Sequence, residues 1–170
     1  MSRRLIALRA AVLLAAFAVA GCESVDLTTA VQIADVSSGY YDNGLTPAGL
    51  NHLVPSLTFT IRNASDEELS SIDMVVMFWA TGDDTEQDEV VVKVIGGSGL
   101  APGASTEPVV IRSKIGYTLE QPRSELFSHR MFRDWTAKLF VKRGGKIVPA
   151  GEYPIERRVL LATPTDPAGR

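Results

Sequence analysis

From Val25 onward the apolar residues of this chain recur at every second position, and only one stretch departs from that rhythm. A period of two marks strands that bury one face. The most restrictive run is Ile72–Ala80, with Ile72, Met74, Val76 and Phe78 on one face and Val75, Met77 and Trp79 on the other. A strand apolar on both faces belongs in the middle of a sheet, with something covering each side. Around it the same alternation places strands at Val25–Ala34, Leu53–Asn63, Val90–Ile95, Pro108–Arg112 (extending toward Ile115) and Trp135–Lys142, with a final strand or two from Ile147-Val148 and Tyr153–Leu161. Pro55, Pro149 and Pro154 mark edges, because proline cannot donate to a ladder. Residues 36–51 read as a loop rich in turn formers. Gly96-Gly-Ser-Gly99, Pro102-Gly103 and Gly144-Gly145 read as turns. The departure is Gly116–Met131. There Pro122–Met131 predicts the single helix, starting at Pro122 and packing through Leu126, Phe127 and Met131. About seven short strands, Gly/Pro turns and one short helix predict an all-β, immunoglobulin-like antiparallel β-sandwich.

The N-terminus has a different composition. Arg3, Arg4 and Arg9 precede an apolar run, Ala10–Ala20, that ends in small residues. It is shorter than the ~20 residues a membrane-spanning helix needs. A basic start, a short apolar middle and a small-residue end describe a secretory signal. Val19-Ala20-Gly21-Cys22 resembles the bacterial lipobox at all four positions, and Cys22 is the only cysteine in the chain. The resemblance implies cleavage between Gly21 and Cys22, thioether diacylglycerol on Cys22, and acylation of the new amino group. More than one acyl chain gives a firm anchor, since a single chain is marginal. Glu23 stands where enterobacterial lipoproteins retained at the inner membrane have Asp. That implies an outer-membrane lipoprotein facing the periplasm. The chain then divides into a signal peptide at 1–21, a lipidated tether at 22–25, a sandwich domain at 26–162 and a tail at 163–170.

Without its first 21 residues, which hold three arginines and no acids, the 170-residue chain keeps 149 residues and goes from a net charge of −3 to −6. This is one domain's length, and it can bury a core without a disulfide. An acidic domain has no general basic field for nucleic acid.

The stretch from Thr58 to Gly103 carries a second resemblance. Thr58-Phe-Thr-Ile61-Arg-Asn63-Ala-Ser65 with Leu69 and Ile72, then Val76–Phe78 and Gly82, then Leu100-Ala-Pro102-Gly103, is similar to bacterial FxLYD-type and related Ig-like lipoprotein domains. In those a strand ends in an Asn-x-Ser turn and a Pro-Gly turn precedes a later strand. The pattern departs at Trp79-Ala80, where that family has Tyr-Asp. The resemblance implies fold rather than activity.

Little in the sequence points to catalysis. His52 and His129 are the two histidines, far apart and outside any hydrolase motif, and a nucleophile needs a base within hydrogen-bond reach. The acidic run Asp83, Asp84, Glu86, Asp88 and Glu89 offers oxygen ligands but lacks EF-hand spacing and its glycine. It reads as a solvated hairpin tip, with no metal or other cofactor expected. The candidate binding surfaces are Tyr40-Tyr41, the Leu126-Phe127 insertion and the basic hairpin Lys142, Arg143 and Lys146. The C-terminal half is locally basic, which predicts a domain polar in charge. These features describe a non-enzymatic envelope lipoprotein that binds the membrane through Cys22 and another envelope protein through its surfaces. Alternatively one of the two adjacent tyrosines plugs an end of the core. Two further readings stand beside this one: a small-ligand or glycan-binding accessory with Trp79 or Trp135 as stacking platform, and a hydrolase using His52 or His129.

Overall fold

The computed structural model describes residues 25–160. Gly21 and Cys22, with the whole signal, and the tail after Leu160 lie outside them. Among the described residues the chain forms an all-β sandwich of two sheets. β1 is Val31–Leu45, β2 Asn51–Asn63, β3 Ile72–Ala80, β4 Asp88–Ile95 and β5 Val109–Arg112. β6 is Tyr117–Leu119, β7 Trp135–Arg143, β8 Lys146–Pro154 and β9 Val159–Leu160. One sheet runs β5-β2-β1-β9, with β6 also paired to β2, and the other β4-β3-β7-β8. This is immunoglobulin-like connectivity: strands A, B and E in one sheet, C′, C, F and G in the other. β1–β5, β7 and β8 each overlap a run the alternation predicts, β9 falls within the predicted Tyr153–Leu161, and β6 is an addition.

The core lies between the sheets. Leu53, Leu57, Phe59 and Ile61 of β2 face Ile72, Met74, Val76 and Phe78 of β3, and all are fully buried. β3 sits between β4 and β7, central as expected, but of its second face only Val75 is buried, with Met77 and Trp79 half-buried. β8 is an edge strand, in keeping with Pro149 and Pro154.

Four local expectations are corrected. The alternation from Val25 does not begin a strand. Leu27–Ala30 is one helical turn, α1, because Asp26 caps it by accepting from the Thr28 amide at 3.1 Å. The turn puts both Leu27 and Ala30 into the core, whereas a strand would have set them on opposite faces. Residues 36–45 are strand rather than loop: their turn formers produce register shifts at Ala34/Ser37 and Asp42/Leu45 that bend β1 without ending it. Gly39 within this strand lets β9 approach, since a Cβ there would lie 2.8 Å from Leu160 Cγ and 3.0 Å from Arg158 O. Pro55 does not mark an edge. Its carbonyl accepts from Ser113 N at 2.9 Å, so its missing N–H faces the break between β5 and β6, where no ladder bond is lost. The helix predicted at Pro122–Met131 is a 3-10 helix, Arg123–Ser128, with Met131 exposed.

Candidate functional site

The strands give the sandwich two dissimilar ends. One end holds the β1–β2 hairpin, the 81–87 turn, the 3-10 helix and the start of β7. It is closed by rings from both sheets: Tyr40 lies 5.4 Å from Phe127, 5.5 Å from Phe132 and 6.2 Å from Tyr117. Tyr117 lies 6.5 Å from Trp135. The Tyr117 hydroxyl accepts from Trp135 Nε1 and from Arg133 N, and donates to Arg133 O, each at 3.0 Å. Tyr40 is 0 % exposed, and its hydroxyl has no hydrogen-bond partner among the described residues. Burial, reinforced by Tyr117 and Asp134, pushes its phenol well above the ordinary tyrosine value. Above the cluster Arg157 forms a bidentate pair with Asp134 at 2.7 and 2.8 Å and covers Phe132. That pair holds the Asp134 carboxyl below the usual carboxylate range.

This end corrects part of the expected binding surface. Tyr40 and Leu126 are fully buried and present nothing to a partner. Of the two tyrosines, Tyr40 is the one that plugs the core, as the alternative reading had of one of them. Phe127 is half-buried in the same cluster, and Tyr41 lies half-buried on the outer face with the Arg112 guanidinium 3.5 Å above its ring. Trp135 is also corrected: it is buried, so it offers no stacking platform. Phe132, Tyr117 and the Asp134–Arg157 clamp were missed. They come from loops and a three-residue strand, where no periodicity signals burial.

At the opposite end α1 packs on β8, beside the β7–β8 hairpin. Hydrogen bonds from Thr28 hold Asp26 below the usual carboxylate range, and the Lys146 ammonium adds to this. Lys142, Arg143 and Lys146 therefore sit at the end where the chain enters the domain at Val25. Among the described residues none of the three forms a salt bridge. The expected charge polarity of the whole domain does not appear: Arg133 pairs with Asp83 at 2.6 Å and Arg157 with Asp134 at the aromatic end, so the basic residues are divided between the two ends. Asp66 and Glu67 also lie at the chain-entry end, in a cavity of about 540 Å³ lined by Val25, Asp26 and Thr29.

The remaining candidates are engaged locally. His52 Nδ1 lies 3.3 Å from Asn43 Nδ2, and His129 Nδ1 accepts from Met131 N at 3.3 Å. Among the described residues neither ring contacts a hydroxyl nucleophile. Asp88 accepts from Ser113 Oγ at 3.0 Å and from Lys114 N at 2.6 Å. No cluster of three or more potential metal ligands occurs among the described residues. Trp79 is half-buried, with the Lys138 ammonium 4.8 Å from its ring centroid. None of the described helices is long and apolar enough to cross a membrane.

The fold thus defines an all-β two-sheet sandwich. No protein-family model and no curated protein matches the sequence. A solved structure titled as an X-ray structure of Northeast Structural Genomics Consortium target SoR45 is similar at 15 % identity and a TM-score of 0.43, covering 82 % of this chain and 92 % of that one.

Proposed function

We propose that this protein is a bacterial envelope lipoprotein that works as a non-catalytic binding or assembly module. It is held by lipid on Cys22, outer-membrane-bound and facing the periplasm. The observation that carries the reading joins sequence to geometry. Cys22 precedes the first described residue, Val25, by three positions, a reach of at most ~11 Å. Lys142, Arg143 and Lys146, none of which forms a salt bridge among the described residues, stand at the same end of the domain. A lipid on Cys22 brings this hairpin to the headgroup layer, where each basic side chain near an anionic surface adds ~1 kcal/mol. The two histidines, both engaged locally, favour binding over hydrolysis. The partner is another envelope protein, met by the surfaces that face away from the bilayer.

The test is acyl labelling and membrane fractionation of the full chain and Cys22→Ala, followed by an affinity pull-down from crosslinked membranes. The expected result is label and membrane retention in the wild type only, with one reproducible envelope partner lost in the variant. Equal membrane retention without label in both would refute the anchor. A labelled protein with no partner, whose tryptophan fluorescence responds to a glycan, would shift the assignment to the ligand-binding accessory through Trp79.

A further inference from the structure

Sheet edges are where a sandwich is open to other strands, and three kinds of guard protect them here. β8 carries Pro149, Pro154 and a register shift at Leu139/Phe140. β5, β6 and β9 are only four, three and two residues long. Proline, bulges and shortness all discourage pairing. β4 has no proline and is not short, and its one bulge, with Val94 the extra residue between the Ile72–Ile95 and Asp73–Lys93 pairs, lies at its far end and leaves residues 88–93 in regular register. Asp88-Glu-Val-Val-Val-Lys-Val-Ile95 is eight residues without proline or glycine, and its Val91 is 51 % exposed.

The backbone direction along β4 follows from its neighbour. Phe78 O accepts from Gln87 N at 2.8 Å on the β4 side of β3, and Thr81 N donates to Asp134 O at 2.7 Å on the β7 side. Alternation then turns the even-numbered residues of β3 toward β4, where Val76 pairs with Val90 and Met74 with Val92. The N–H and C=O of Glu89, Val91 and Lys93 are left at the free edge. Among the described residues one ligand reaches them, the Lys114 ammonium on Glu89 O at 3.3 Å.

We propose that β4 is the interface for a second copy of this chain, paired antiparallel about Val91. Placing Val91 opposite its own copy sets Glu89 opposite the second copy's Lys93, and Lys93 opposite its Glu89, because the two charges stand two residues either side of Val91. The odd-numbered residues that carry the free backbone groups are the ones this register hydrogen-bonds. Charge pairing, backbone direction and the exposed valine thus select one register, and it is self-complementary, as a two-fold interface requires. Lys93, which alone would deter an edge-on neighbour, meets a carboxylate in this register. The result is a continuous eight-stranded sheet formed from two β4-β3-β7-β8 sheets. This inference stands independently of the lipid anchor.

The test uses the full chain with Val91→Cys, and with Val110→Cys as a control of similar exposure at 47 % on β5. Cβ atoms of directly opposed residues lie ~5 Å apart, within reach of a short bis-maleimide. The expected result is a covalent homodimer at least tenfold more abundant for Val91→Cys than for Val110→Cys. Adding Glu89→Lys replaces two attractive cross-strand pairs with two repulsive ones and lowers the yield roughly ten- to hundredfold. Adding Glu89→Lys with Lys93→Glu restores it. Equal yields at the two cysteines, failure of the double swap to restore, or capture of a protein of different mass would each overturn the proposal.

Discussion

Two tyrosines whose rings lie 6.2 Å apart should respond in opposite directions to loss of the same atom. Tyr40→Phe removes a hydroxyl that is buried and without a partner among the described residues. An unsatisfied buried polar group costs about 1–3 kcal/mol, so the variant should gain roughly 1 kcal/mol. Tyr117→Phe removes an oxygen that serves Arg133 N, Arg133 O and Trp135 Nε1. It leaves the buried indole N–H unpaired and should lose about 2 kcal/mol. The 3 kcal/mol between them corresponds to melting temperatures roughly 6–12 °C apart for a domain of this size. Equilibrium urea unfolding, followed by tryptophan fluorescence, reads the difference directly.

The pH dependence separates the hydroxyl from general packing. Burial keeps Tyr40 neutral in the folded state, while an unfolded tyrosine ionises near pH ~10. The folded pKa is raised, so for this acid the unfolded state is favoured as pH climbs past its own pKa. By pH 11.5 the wild type should lose about 2 kcal/mol that Tyr40→Phe does not. A loss of more than 1 kcal/mol in Tyr40→Phe at pH 7, or parallel pH profiles for the two proteins, would refute the reasoning and give the hydroxyl a structural partner.

Other perturbations probe the remaining parts. Asn63 is fully buried, donating to Glu67 O and Leu100 O and accepting from Ser65, so Asn63→Ala should cost about 2–4 kcal/mol in urea unfolding. Gly116→Ala drives a methyl into Leu53 O and Val54 and should lower the melting temperature by several degrees, with the loss of amide protection concentrated on β6. Gly39→Ala should detach β9, read as faster hydrogen exchange at Tyr40 N, which donates to Arg158 O at 2.8 Å. Reversing the charges of Lys142, Arg143 and Lys146 should weaken binding to vesicles containing phosphatidylserine by about fivefold per charge removed, and salt should abolish the difference.

The long strands were legible because each buries one face against a flat layer, and period two survives any sequence noise that keeps Leu57, Phe59 and Ile61 in step. The Asn63-x-Ser65 pattern was also readable, and its reason is now physical: Asn63 side-chain bonds tie the end of β2 to the loop at Leu100. The ends of the sandwich were not legible. Ser37-Ser-Gly39 and Asn43-Gly44 carry the composition of a loop, yet long pairing with β2 absorbs them as irregularities. Which of Tyr40 and Tyr41 turns inward was not readable, because both sit in that composition. What decides the burial of Tyr40 is Phe127 and Phe132, which arrive from a segment nearly ninety residues away. The position of the basic hairpin follows from strand parity alone. The chain enters at one end, and β7 must finish at that end to pair antiparallel with β3.

The two proposals constrain each other. An antiparallel β4 pair relates its copies by a two-fold axis through the sheet, so the chain-entry ends of the two domains point in opposite directions along the strands. Val91 stands four residues from Ile95, so the two entry ends are separated by about 26 Å or more. A tether of ~11 Å cannot bring both cysteines to one bilayer if the strands stand upright on it. Both lipids reach the same leaflet only when the strands lie along the membrane plane. Polarised infrared dichroism of the lipidated protein in oriented bilayers distinguishes the cases. The amide II transition moment runs along the strands, so strands lying flat place it in the membrane plane and strands standing upright place it along the normal, with opposite sign. Flat strands in the wild type and upright strands in Glu89→Lys would mean that the edge contact sets the domain's attitude on the membrane. Upright strands in both would show that the anchored form is a single copy.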